Sequence, residues 1–127
     1  MEPRPATASI RLTTVNMDCA DAQAMADFYG RLLGWQVTRR DHDFILMHNP
    51  DGGIGISFQE EPWYQPPVWP EQPGEQTKMI HLDIAVDDLP AAVTLALAAG
   101  ARLAEHQPRS DLRILFDPAG HPFCLCT

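Results

Sequence analysis

The same order of structural punctuation occurs twice in this chain. Leu12-Thr-Thr-Val-Asn-Met17 reads as a short extended run and is followed by Asp21, a residue suited to capping a helix N-terminus. Met25, Phe28, Tyr29 and Leu32 then recur at helical spacing over 22–33, and Gly34 stands where a helix closes. In the second half Met79-Ile-His-Leu-Asp-Ile-Ala-Val86 alternates and Asp88 offers a cap with Pro90 in the first turn. Leu89, Val93, Ala96 and Leu97 carry the helical stripe there, and Gly100 ends it. Gly34 and Gly100 lie 66 residues apart, and the turn signals Asn49-Pro-Asp-Gly52 and Asp117-Pro-Ala-Gly120 lie 68 apart. Extended runs at 35–38, 44–48 and 54–59 follow the first helix, and runs at 101–104, 112–116 and 122–126 follow the second. Each half therefore reads β-α-β-β-β, which predicts a single α+β domain over 1–127 made of two similar modules, about 10–59 and 79–127.

Residues 60–78 join the modules and hold five prolines (62, 66, 67, 70, 73) among Trp63, Tyr64 and Trp69. Flat rings on a proline-rich connector can cover the mouth of a pocket and grip a planar ligand, or they can pack against a second copy. Trp35, just after the glycine cap, reads as core. The 127 residues, 45% of them hydrophobic, supply one ordinary core and leave no room for a second. Seventeen acidic residues against nine Lys and Arg give a formal charge of −8, which repels phosphate backbones and anionic membrane surfaces, so neither nucleic acid nor membrane is an expected partner. No apolar run is long enough for a bilayer, and the segment 1–9 lacks the apolar centre of a signal peptide, so a cytoplasmic protein is expected. Cys19, Cys124 and Cys126 are an odd number and read as reduced thiols.

Strand parity divides the side chains between two faces. Leu82, Ile84 and Val86 are expected under the helix of their own half, with His81 and Asp83 on the other face. By the same rule Val15 and Met17 go to the helix side and leave Thr14 and Asn16 opposite. Ile54, Ile56 and Phe58 match Phe123 and Leu125 as helix-side residues, leaving Ser57 and Gln59 beside Cys124 and Cys126. The expectation is one shared concave surface lined by Thr14, Asn16, Ser57, Gln59, His81, Asp83, Cys124 and Cys126.

Asp27-Phe-Tyr-Gly-Arg-Leu-Leu-Gly-Trp35, His81-Leu-Asp-Ile-Ala-Val-Asp-Asp88, Gly100-Ala101 and Asp117-Pro-Ala-Gly-His-Pro-Phe-Cys-Leu125 resemble, in order and spacing, the vicinal oxygen chelate superfamily of glyoxalase and bleomycin-resistance proteins. The resemblance covers nearly the whole chain. It implies paired modules forming a curved, open, barrel-like mixed sheet, often in a homodimer, with a small-molecule site inside the curve. It also implies four metal-ligand positions, which by strand and facing hold Thr14, Gln59, His81 and Cys124 here. Only His81 is of the usual His or Glu type, so no cofactor is expected at a site of this composition. A one-residue slip would put Phe58 or Glu60 in place of Gln59, and Glu60 would partly restore a metal site. The alternative is a divalent ion (zinc, nickel, manganese or iron) held by His81, Cys124 and Gln59 or Glu60, with imidazole and thiolate best suited to zinc.

Three functions follow as expectations. The first is a metal-independent binding protein gripping an apolar or aromatic molecule with Trp63, Trp69 and the polar sheet face, for sequestration or resistance. The second is a lyase or isomerase of the same superfamily with His81 as acid, base or metal ligand, possible because His titrates near neutrality. The third is a dimerising interaction module. Cys124 and Cys126 have too little positive charge nearby in sequence to read as nucleophiles, and neither glycine-bearing turn has the setting of a phosphate loop.

Overall fold

The computed structural model describes residues 8–127, so most of the N-terminal segment read above, 1–7, lies outside the described residues. The first module runs β1 (Thr14–Cys19), α1 (Ala22–Leu33), β2 (Gln36–Arg40), β3 (Phe44–His48) and β4 (Gly55–Glu60). The second runs β5 (Leu82–Ala85), α2 (Leu89–Ala99), β6 (Arg102–Leu103), β7 (Leu112–Phe116) and β8 (Pro122–Cys126). Each module folds into its own four-stranded sheet, ordered β1-β4-β3-β2 and β5-β8-β7-β6. In both, the first strand pairs in parallel with the last while the other pairings are antiparallel. The α+β expectation holds; the barrel-like curve resolves into two open mixed sheets, neither closed.

Both helices start and stop where the sequence marks them. The Asp21 carboxylate accepts from Ala24 N at 3.1 Å and Asp88 from Ala91 N at 3.0 Å, satisfying amides that have no partner inside a helix. Gly34 closes α1 at φ 75°, a left-handed conformation that costs glycine little. Ala22, Met25, Ala26, Phe28 and Tyr29 form the buried face of α1, and its rings reach both sheets. Tyr29 stacks on Phe58 of β4 at 5.6 Å, while Phe28 meets Phe123 of β8 at 5.8 Å. One core thus joins the modules. Full burial of each such ring stabilises by about 2–3 kcal/mol.

Strand edges depart from the sequence pattern in three places. The second module's first strand begins at Leu82, not Met79: Met79 adopts φ 63° and Ile80 N bonds Lys78 O at 2.6 Å, a γ-turn that interrupts the extended run. His81 therefore precedes the strand. Ile54, expected on the helix side, lies before β4 and is exposed. The strand starts instead at Gly55, where a Cβ would stand 2.8 Å from the Met47 carbonyl oxygen. Finally, β6 is two residues long rather than four, because Gln107 takes over the edge of β7. Its amide accepts from Ile114 N and donates to Ile114 O, both at 2.9 Å. No helix among the described residues is long and apolar enough to cross a membrane.

Candidate functional site

The connector is a strap tied to the second module near its start and cross-bonded within itself further along. Near its start the Tyr64 hydroxyl donates to Ala119 O at 2.8 Å and lies 3.3 Å from His121 Nε2, both on the β7–β8 turn. Further along, Val68 N bonds Gln76 O at 2.8 Å, and Lys78 pairs with Glu71. The turn that receives Tyr64 is itself locked. Asp117, fully buried, accepts from Tyr29 Oη at 2.7 Å and from the amides of Ala119 and His121 at 3.0 Å, and it contacts His121 Nδ1 at 2.8 Å. Burial, then the negative charge of Asp117, pushes the Tyr29 hydroxyl well above its ordinary pKa and raises that of Tyr64.

Between strap and second sheet lies a cavity of about 440 Å³ walled by Pro66, Pro67, Trp69, Arg102, His106 and Phe116. The Trp69 ring sits 5.6 Å from that of His106 and 6.4 Å from that of Phe116. The Arg102 guanidinium stands 4.7 Å over the Phe116 ring. None of the ion pairs among the described residues involves Arg102. Arg102 and Phe116 are register partners, as are Ile114 and Cys124, so the cavity floor belongs to the sheet face that also carries Cys124. Leu115, Phe123 and Leu125 occupy the helix side and are buried. Across the strap a second cavity of about 360 Å³ includes Asn16, Tyr64, Lys78, Ile80 and His121.

The residues expected to share one concave surface fall into separate groups. Asn16 Nδ2 donates to Ser57 Oγ at 2.7 Å across β1 and β4, and Ser57 is buried. Thr14 borders a different depression, with Arg11 and His48. Gln59 Nε2 donates to Asp43 O at 3.3 Å. Phe58 is in the core and Glu60 is held on the helix side by Ala22 N at 2.9 Å, so Gln59 lies on the opposite face; the register pairs it with Asp18, whereas Ser57, paired with Asn16, is the counterpart of Cys124, paired with Asp83. Trp63 is 89% exposed, whereas Trp69 faces the larger strap cavity. His81, Asp83 and Cys124 do converge: His81 Nε2 is 3.4 Å from Asp83 Oδ1, and one ligand-type atom from each of the three lies within 4.8 Å of the others. Burial, then the charge of Asp83, pushes the Cys124 thiol up to about 11. All three cysteines are free.

Of the four residues that the resemblance places at metal positions, Thr14 and Gln59 offer neutral oxygens that are poor donors for a hard ion, and the Gln59 amide nitrogen already donates to Asp43 O. These four residues do not fit that metal. The sequence pattern missed Arg102, His106 and Phe116 as a group, and the bonds that Asp117 and His121 make. The only local signal for them was the Asp117-Pro-Ala-Gly-His121 turn itself.

The glyoxalase-like domain family matches residues 14–126 of the chain. No curated protein matches significantly. Among solved structures, a glyoxalase/bleomycin resistance protein/dioxygenase family enzyme from Burkholderia phytofirmans superposes with a TM-score of 0.68 at 25% identity, over 91% of this chain and 97% of that one. A bleomycin resistance determinant encoded on the transposon Tn5 gives 0.61 at 21%, over 93% and 98%. An antibiotic binding protein from a Streptomyces species gives 0.57 at 16%, over 94% and 97%. Below 25% identity such likeness speaks for the fold alone, and fold does not carry function. With the repeated module, the sheet order and the family match in agreement, this chain belongs to the glyoxalase-like domain family of the vicinal oxygen chelate superfamily.

Proposed function

We propose that the protein binds a small, flat organic molecule between the strap and the second sheet, with Trp69 and Phe116 as walls and Arg102 as the anchor for an acidic or strongly polar group. The observation that carries this reading is the meeting of two rings and a guanidinium around about 440 Å³ of space. Clefts for drug-sized ligands measure roughly 300–1,000 Å³ and combine apolar walls with a few polar groups. Arg102 takes part in none of the ion pairs among the described residues, so its guanidinium can serve a negative ligand group at this cavity. Two relatives by fold are described as a bleomycin resistance determinant and an antibiotic binding protein, which supports capture of a toxic compound as the biological role. Capture of this kind needs no metal. Asn16, on the far side of the strap, serves a larger ligand that extends past Tyr64.

The binder works as a cytoplasmic homodimer in this reading. β1 and β5 are sheet edges, and Leu12, Met79 and Ile80 stand exposed beside them, a combination that favours pairing with a second copy. A second reading, a lyase or isomerase with His81 as its acid or base, rests on the 3.4 Å contact between His81 and Asp83. It requires a substrate to be consumed, and consumption to stop in His81→Ala.

Tryptophan fluorescence titrated with a library of aromatic acids tests the primary reading. Saturable quenching without turnover is expected. Trp69→Ala should weaken binding at least tenfold, about 1.4 kcal/mol, and Arg102→Ala should weaken acidic ligands more than neutral ones. A ligand held equally well by the Trp69→Ala protein would place the site elsewhere.

A further inference from the structure

We propose that a proton on His121 latches the strap over the ligand cavity, which makes closure of the site pH-dependent. As a gate for a ligand the device rests on the function proposed above; the latch itself does not. His121, on the β7–β8 turn, stands between a buried carboxylate and the strap. Its Nδ1 is 2.8 Å from Asp117 Oδ2, and its Nε2 is 3.3 Å from the Tyr64 hydroxyl. The two oxygens of Asp117 also accept from Tyr29 Oη and from the amides of Ala119 and His121, so Asp117 is the charged acceptor and Nδ1 carries a proton.

The Tyr64 hydroxyl has one proton and two neighbours that could take it. It donates to Ala119 O at 2.8 Å, which leaves its oxygen to face His121 Nε2. With a neutral ring protonated on Nδ1, Nε2 is an acceptor facing an acceptor, and one of the two bonds is lost. With an imidazolium, Nε2–H donates to Tyr64 Oη and every link holds, from Asp117 through His121 and Tyr64 to Ala119 O. A charged donor also makes the stronger bond. Burial and then the charge of Asp117 keep the proton on Tyr64, so His121 is the member that switches, and histidine side chains exchange their proton near neutral pH. Around this chain, Asp18 of β1 and Lys78 of the strap line the adjoining cavity with opposite charges. Lys78 is already paired with Glu71, and Cys19 of β1 stays a neutral thiol, pushed up to about 12 by burial and by Glu60, Asp21 and Asp117. The latch borders the ligand cavity directly. Gly120, next to His121, lines that cavity, and a Cβ on it would stand 3.0 Å from Pro66 Cβ of the strap.

Hydrogen-exchange mass spectrometry on the free, full-length protein reads the strap without any ligand. After correction for the intrinsic pH dependence of exchange, peptides within 62–78 should be about fivefold more protected at about pH 5.5 than at about pH 8, with α1 little changed. Tyr64→Phe keeps the ring and removes the acceptor, so its strap should exchange alike at both values, and His121→Gln should do the same. The aromatic acid that quenches fluorescence most should leave the parent about fivefold more slowly at the lower pH, and Tyr64→Phe equally fast at both. A flat strap profile in the parent, the parent's profile kept in Tyr64→Phe, or a profile lost only in His106→Gln, beside Trp69, would overturn the proposal. A pH-dependent strap in a protein that no aromatic acid quenches would support the latch and contradict the ligand reading.

Discussion

Asp117 shows how much one side chain can hold. Its buried carboxylate accepts from Tyr29 on α1, from two amides of its own turn, and contacts His121, which in turn touches Tyr64 on the strap. Helix, turn and strap therefore share one hub. Replacing Asp117 by Asn swaps an oxygen for a donor among donors, so at least one buried polar group loses its partner at a cost of about 1–3 kcal/mol. Urea denaturation of Asp117→Asn should show that loss, and Tyr29→Phe, which keeps the ring stacking, should lose less; equal stability to the parent would contradict the hub. Little of this was legible beforehand. Asp117-Pro-Ala-Gly120 reads as a turn from its residue types, but its key partner lies 88 residues away, and no local periodicity records such a contact. The same holds for Arg102 and Phe116, which meet only once β6 pairs with β7.

At the scale of elements, what the sequence marks chemically is what it predicts well. Asp21, Gly34, Asp88 and Gly100 mark helix ends through hydrogen bonding and backbone freedom, which are local properties, and both helices begin and end there. Strand ends are set by neighbours instead. The first strand of the second module is cut short by a turn at Met79, and the edge of that sheet beside the short β6 is finished by the Gln107 side chain. The strap was visible as a proline-rich, aromatic connector, but its anchoring by Tyr64 was not. That anchoring makes the element testable. Tyr64→Phe keeps the ring and removes the hydroxyl, so the strap should be cut faster by limited proteolysis within 65–78, with ligand affinity falling several-fold while the thermal midpoint moves by only a few degrees. Unchanged proteolysis would mean that Tyr64 does not hold the strap.

For the molecule as a whole, the repeat foretold two similar modules, and their sheets share an identical strand order. Parity assigned helix-side residues well: Met17, Ile56, Phe58, Phe123 and Leu125 are buried. Parity says nothing about how two sheets stand relative to each other, and this is why residues expected on one lining separate into the Asn16–Ser57 pair, the Thr14 depression and the His81–Asp83–Cys124 cluster. The ligand site proposed for this molecule accordingly rests on the strap and one sheet. Its most direct test is two-dimensional NMR of the nitrogen-15-labelled protein, titrated with the aromatic acid that quenches fluorescence most. Saturable shifts of the Trp69 indole and of the Ala104 and Gly120 amides, with the exposed Trp63 indole unmoved, are the predicted result. Saturable shifts confined to the surroundings of Thr14 and His48, with Trp69 unmoved, would contradict it.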